Sequence, residues 1–263
     1  MPFRFLIVLM CWGSSVPLFA QSGTFSISAP DRIATQSTFT VSALLEADTT
    51  VGAISMSVRH DSDVLQIVDV QLGAALDPLL GGVAPESMVI NFPISAAPGV
   101  GGWAGGFILP VGGPFVPATI EPVEIVQIEY SGISENGGTT DLEYDSSLVI
   151  ADNCYIVGGT LVEVKPPLLG ASVEIVAPFL RGDVNGDGDF SLIDLFLLFE
   201  VLFSGLTVDC AAALDLNDDQ MLTLTDVITG LQFELSLIPA LPSPHPFCGS
   251  DLTGLDCVDA DCP

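Results

Sequence analysis

Positive charge is what this sequence most lacks. Five Lys and Arg stand against 33 Asp and Glu in 263 residues, a formal net charge of −28. Charged residues of either sign make up only 14% of the chain, against about 25% in an ordinary globular domain. Nucleic-acid binding is excluded on this ground, because it rests on Lys and Arg neutralising the phosphate backbone. Anionic membrane surfaces are excluded by the same repulsion. Histidine is also scarce: His60 lies in a polar turn, 59–63, and His245 among prolines, so neither has the neighbours of a nucleophile triad or a zinc site. Disorder is excluded instead by what is present, since 49% of the residues are apolar and can fill a core. What a chain of this charge attracts is cations.

The apolar run 5–12 follows Arg4 and precedes Val16-Pro17-Leu18-Phe19-Ala20. It is shorter than the ~20 residues that span a bilayer, and the order reads as a secretory signal peptide covering 1–20. The mature protein is then expected to be secreted, extracellular or on the cell surface, with no membrane span. Export permits disulfides. Four cysteines, Cys210, Cys248, Cys257 and Cys262, fall near the C-terminus, where a small module with little core gains from cross-links. The spacing does not fix the pairing; Cys210–Cys248 with Cys257–Cys262 is the pairing expected, and Cys154 is left as a buried free thiol.

From Phe25 to about Val176 the hydrophobic period is two. Phe25, Ile27 and Ala29 alternate with polar residues, as do Phe39 to Leu45, Ile54 to Val58, Val68 to Leu72 and Val126 to Tyr130. Such alternation predicts strands with one buried and one wet face. Many short strands with Gly and Pro punctuation predict an antiparallel β-sandwich over 21–178. The stretch 95–115 is so rich in Gly and Pro that long loops are expected there, beside a strand near 107–109. Its Gly99-Val100-Gly101-Gly102-Trp103-Ala104 fits a dinucleotide fingerprint in letters only, because no helix pattern follows.

Beyond Pro178 the period changes. Leu195, Phe196, Leu198, Phe199 and Leu202 follow helical spacing, and so do Val227, Ile228, Leu231 and Leu235. Each set follows an acidic loop. In the first, Asp183, Asn185, Asp187, Asp189, Ser191 and Asp194 stand at positions 1, 3, 5, 7, 9 and 12, with Gly188 at position 6. A hard cation such as Ca²⁺ takes six to eight oxygens, which one 12-residue loop can supply from those positions, position 7 through its carbonyl. The second loop starts 32 residues later with Asp215, Asn217, Asp219, Met221 (by its carbonyl), Thr223 and Asp226. Gln220 replaces the glycine at position 6, so the second of two Ca²⁺ sites is expected to be weaker. Arg181-Gly182-Asp183 spells RGD, but Asp183 is already assigned to the first loop.

Neither loop has a full entering helix, and both close on Asp. In this the segment 179–238 resembles a type I dockerin, the duplicated calcium-loop partner of cohesin, with 239–263 as a Cys-containing extension. The resemblance implies a calcium-folded interaction module that recognises its partner through loop positions 10 and 11. Here these are Leu192-Ile193 and Leu224-Thr225, more apolar than the small hydroxyl residues of the family. The helix 195–199 is apolar nearly all round, and packing between the two helices is the expected reason, with partner contact second. The segments Thr38 to Leu44, Val51-Gly52-Ala53 onward and Val64-Leu65-Gln66-Ile67-Val68 resemble the opening of cohesin-like sandwiches. These share a jelly-roll fold with certain carbohydrate-binding modules.

The expectation is a mainly β, jelly-roll-type sandwich followed by a small helical dockerin-like module. Its expected work is non-catalytic, calcium-dependent assembly with a protein partner, a cohesin-like domain that this same chain could supply. Heterologous contacts of that kind can polymerise. The rival is a carbohydrate-binding subunit of polysaccharide breakdown, with Trp103, Tyr130 and Tyr155 as candidates to stack on sugar. A carboxylate pair for glycoside hydrolysis has no supporting signature. Residues 179–263 hold fifteen acids and a single base, Arg181, and seven of those acids stand at proposed ligand positions of the loops. Part of the charge is thus aimed at the loops, and the remainder reads as ordinary solvated surface.

Overall fold

The computed structural model describes residues 23–148, 152–257 and 262. The expected signal peptide lies outside them. In chain order the strands are β1 (Gly23–Ser28), β2 (Arg32–Ala34), β3 (Thr38–Ala47), β4 (Val51–Asp61), β5 (Leu65–Leu72), β6 (Ser87–Ala97), β7 (Val100–Ile108), β8 (Thr119–Gly132), β9 (Gly138–Tyr144), β10 (Cys154–Val157), β11 (Glu163–Val164), β12 (Leu168–Leu169) and β13 (Ala171–Val176). A single helical turn, α1 (Leu76–Leu79), follows β5, and the longer helices α2 (Leu192–Ser204) and α3 (Leu224–Glu234) lie near the C-terminus. The chain forms two compact units. Among the described residues, one comprises 23–30, 38–131 and those of 140–173; the other comprises 31–37, 132–139 and 174–257.

The first unit is a β-sandwich. One sheet has the order β12-β1-β3-β8-β5, and the other runs β11-β10-β4-β9 with the β6–β7 hairpin joined to β4 through β7; in the second unit β13 pairs with β2 in parallel, from Glu174↔Arg32 to Val176↔Ala34. The sheets meet through rings: Phe25 of β1 stacks on Tyr144 of β9 at 5.8 Å, and Tyr130 of β8 takes the edge of His60 of β4 at 5.1 Å. Alternating apolar residues supply the core, as the period-two pattern requires: Phe25, Val41, Ala43, Leu45, Ile54, Met56 and Val58 are all buried.

Strand β4 departs from the expected half-wet face. Ser55 and Ser57 are buried as well as Ile54, Met56 and Val58. The polar face is covered by the chain after β9, where the Ser57 hydroxyl donates to the Asp145 carbonyl (2.6 Å) and the Ser57 amide to Asn153 Oδ1 (2.7 Å). His60, expected in a turn, is a buried strand residue of β4.

The glycine-rich stretch expected to be loop is largely strand. Val100–Ile108 pairs along its whole length with β4, from Ala53↔Ile108 to Asp61↔Val100. Glycine in a strand marks a close backbone approach, and that is its use here. A Cβ on Gly106 would lie 2.3 Å from the Ile54 carbonyl oxygen, and one on Gly102 would lie 2.5 Å from that of Val58. The period-two signal is erased where the pairs Gly101-Gly102 and Gly105-Gly106 remove side chains from both faces of the strand. Gly106→Ala should therefore destabilise the sandwich by about 2 kcal/mol through overpacking, read as a lower urea midpoint.

In the second unit α2 and α3 pack through Leu195, Leu198 and Val227, joined by Leu214, Leu216 and Leu241. Gly230 allows this closeness, since a Cβ there would fall 2.5 Å from Leu195 Cδ2. Only one face of α2 is used. Leu195 and Leu198 are buried, whereas Phe196 and Phe203 are each 69% exposed; packing between the two helices thus accounts for part of the apolar sequence and not the rest.

The cysteines pair as Cys210–Cys257 and Cys248–Cys262, not as expected. The backbone decides this: Cys210 and Cys257 face each other in an antiparallel bridge, and the Ala211 amide donates to the Asp256 carbonyl at 3.0 Å. Cys154 is buried but disulfide-bonded rather than a free thiol.

Candidate metal-binding loops

Both loops run straight into a helix, and the same chemistry ends each. Ser191 is the N-cap of α2 and accepts from the Ile193 amide; Thr223 does the same for α3 from Thr225. Each sits in a reciprocal capping box with Asp194 or Asp226. A carboxylate in the first turn also favours the positive end of the helix dipole.

Within the loops the side chains fold inward on their own backbone. Asp183 Oδ1 accepts from the Asp187 amide (3.0 Å) and Oδ2 from the Gly188 amide (2.8 Å). Asn185 Oδ1 accepts from the Asp187 amide (2.9 Å), its Nδ2 donates to Asp187 Oδ2 (2.7 Å), and Asp187 Oδ1 accepts from the Asp189 amide (3.1 Å). Asp194 closes the ring: Oδ1 accepts from the Asn185 amide (3.3 Å), and Oδ2 from the Ser191 amide (2.8 Å) and hydroxyl (2.9 Å).

The second loop repeats these eight bonds position for position through Asp215, Asn217, Asp219, Thr223 and Asp226. Seven of the eight agree between loops to within 0.2 Å; the exception is the position-9 hydroxyl, at 2.9 Å in Ser191 and 3.4 Å in Thr223. Met221, at the second carbonyl position, is 60% exposed and donates its amide to Asp219 Oδ1 at 3.0 Å.

Both loops take left-handed backbone at positions 4 and 6. The first uses glycine twice, Gly186 (φ 72°) and Gly188 (φ 89°), and the second uses Asp218 (φ 60°) and Gln220 (φ 66°). The sequence pattern points to position 6; the requirement at position 4 is visible only in the structure. A side chain in this region costs on the order of 1 kcal/mol. Gln220→Gly should therefore tighten any cation on the second loop about fivefold, which calorimetric titration would read.

Asp183, Asp194, Asp215 and Asp226 are all buried. Burial pushes the Asp226 carboxyl above the usual range against lowering hydrogen bonds from Thr223 and Asn217, and the charges of Asp215 and Asp219 add to the rise. Three carboxylates of one loop thus feel one another. The donor set is oxygen only, which suits a hard cation and not zinc or copper. The Asp183 and Asp187 oxygens each accept one hydrogen bond and keep a lone pair for an ion, whereas both Asp194 oxygens already accept two, so an ion there would replace a donor such as the Ser191 hydroxyl. Even so, no three His, Cys, Asp or Glu groups among the described residues converge on a single point at metal-ligand range. The side chains meet one another instead through the hydrogen bonds described above.

Other features resolve differently. Arg181 has 0% exposure, so the RGD tripeptide cannot be presented to a receptor. Trp103, Tyr130 and Tyr155 also have 0% exposure; they are core residues and cannot stack on a sugar. None of the described helices is long and apolar enough to cross a membrane.

No family model matches the sequence, and no curated protein matches it. Among solved structures the chain is similar to a type I cohesin–dockerin complex from Clostridium thermocellum, at TM-score 0.46 and 12% identity over 59% of this chain and 99% of that one. It is similar to a non-cellulosomal cohesin from Archaeoglobus fulgidus, at TM-score 0.42 and 12% identity over 59% and 92%. A type II cohesin domain from the cellulosome of Acetivibrio cellulolyticus is similar at TM-score 0.42 and 12% identity over 58% and 94%. At such scores the functional reading rests on the chain's own residues.

Proposed function

We propose that this protein is a secreted, non-catalytic assembly protein whose helical module is completed by two Ca²⁺ ions and binds a protein partner. The observation that carries the proposal is the repetition of eight hydrogen bonds, position for position, in two oxygen-lined loops of the chain. Asp183, Asn185, Asp187, the Asp189 carbonyl, Ser191 and Asp194 would hold the first ion. Asp215, Asn217, Asp219, the Met221 carbonyl, Thr223 and Asp226 would hold the second. A bound dication would neutralise repulsion among carboxylates that the fold has already gathered, and so add folding free energy.

The partner surface is apolar. Leu192 and Ile193 of the first loop are 49% and 59% exposed, Leu224 of the second is 51% exposed, and Phe196, Phe203 and Ile228 continue the exposed set along the helices. A concentration of exposed apolar side chains in an acidic module favours partner contact over solvation. The dockerin resemblance assigns loop positions 10 and 11, Leu192-Ile193 and Leu224-Thr225, to recognition of a cohesin-like sandwich, and this chain carries a β-sandwich of its own, so head-to-tail association follows. Sedimentation of residues 21–263 tests this: oligomers are expected in calcium and monomers in chelator. A monomer under both conditions, at concentrations where calorimetry shows the loops filled, removes self-assembly from the reading.

A further inference from the structure

Arg181 is the only base of residues 179–263 and is wholly buried. Burying a guanidinium is costly unless its donors are paired, and these are paired with three separate segments. Its Nη1 donates to the Asp215 carbonyl, the backbone of position 1 in the second loop. Its Nη2 donates to Asp218 Oδ1 (3.1 Å), position 4 of that loop, and to Asp251 Oδ2 (2.8 Å). Nε and Nη2 both reach the Ser243 carbonyl, at 2.9 and 2.8 Å. Two residues after this guanidinium stands Asp183, position 1 of the first loop.

The segment 239–257 is equally fixed. The Arg181 amide donates to the Pro244 carbonyl (2.7 Å), and Phe179 and Gly249 exchange backbone hydrogen bonds at 2.9 and 3.0 Å. Leu241 enters the helical core, and Cys257 is tied to Cys210. Asp251 is set by its own turn, accepting from the Thr253 amide (2.9 Å) and the Gly254 amide (3.1 Å).

These contacts fall where the second loop is weakest. The first loop uses glycine at both left-handed positions. The second has none, and its strained Asp218 is one of the side chains that Arg181 grips. We infer that Arg181 is a positioning residue that holds the second loop in shape and makes the C-terminal segment 239–257 a working part of that site. The inference rests on the calcium reading of the loops.

The test is Arg181→Lys in the mature chain. Lysine keeps the charge, but a single ammonium cannot reach two carbonyls and two carboxylates at once. Calorimetric titration, with sites assigned through Asp187→Ala and Asp219→Ala, which are exposed and lie outside the helix caps, should show the second site weakened at least tenfold and the first within threefold. Asp251→Asn, which leaves Arg181 in place, should move the second site the same way by a smaller factor. Adding Gln220→Gly to Arg181→Lys should restore most of the loss by removing one strained position. Equal loss at both sites, or none at either, overturns the coupling and leaves the calcium reading standing. If the unsubstituted chain binds no calcium, the calcium reading falls, and hydrogen exchange in chelator decides the coupling alone. Amides of Asp219 and Gln220 exchanging at least tenfold faster in Arg181→Lys support it; equal rates overturn it.

Discussion

Asp194→Ala should destabilise the helical module in chelator and destabilise it further in calcium. The first effect is capping. The Asp194 carboxylate is 1% exposed and accepts from the amides of Val184 (2.9 Å), Asn185 (3.3 Å) and Ser191 (2.8 Å) and from the Ser191 hydroxyl. Alanine leaves those amides without their acceptor and removes half of the capping box, a loss of about 3 kcal/mol. The second effect belongs to the ion alone. At free calcium one hundred times Kd a site adds about 2.7 kcal/mol, and the substituted loop would forfeit it. A module with so small a core has little more stability than this to lose, so thermal melts followed by helical circular dichroism should show Asp194→Ala largely unfolded. The two effects separate cleanly. An equal loss with and without calcium would make Asp194 a helix cap only and remove the first loop from the calcium reading. Asp226→Ala should behave alike in chelator but show the smaller calcium increment, because Gln220 already weakens that site.

The two loops show which parts of a structure can be read from letters. Ligand spacing survives in sequence because alternate residues of one tight loop must point inward, and the helices that follow are marked by their period. The partner of a buried arginine does not survive in the same way. Arg181 reads as part of an RGD tripeptide, yet its acceptors lie 34 to 70 residues away and two of them are backbone carbonyls, which any residue type supplies. Disulfide pairing was illegible for a related reason, since the bridge between Cys210 and Cys257 is set by where the C-terminal segment returns and not by cysteine spacing. In the sandwich, alternation marked the half-buried strands well. It failed in β7, where Gly102 and Gly106 leave out the side chains that a pattern needs. It also misjudged β4, whose serines are polar by type and buried by what covers them.

The same misreading of β4 has a measurable consequence at low pH. His60 belongs to that strand, is 5% exposed, and packs against the Tyr130 ring. Burial lowers its pKa from 6.5 to about 4, against smaller upward pulls from Asp61 and from a backbone hydrogen bond at Leu65. A depressed histidine resists protonation in the folded chain while the unfolded chain protonates at the ordinary value. Below pH 6.5 the unfolded state therefore binds the extra proton, and stability falls as pH falls. The loss is absent above about pH 7, grows through the window between the two values, and reaches on the order of 3 kcal/mol once the folded state also protonates. Trp103 lies in the same core and is the only tryptophan after the first 20 residues, so its fluorescence in urea titrations reports the sandwich. His60→Gln removes the ionisation while keeping a polar side chain of similar size. Its urea midpoint should stay flat over this window where that of the unsubstituted chain declines, and the difference between the two profiles isolates His60 from the carboxylates, which protonate at lower pH. Parallel profiles would show that water reaches the ring and that the buried position does not govern acid sensitivity.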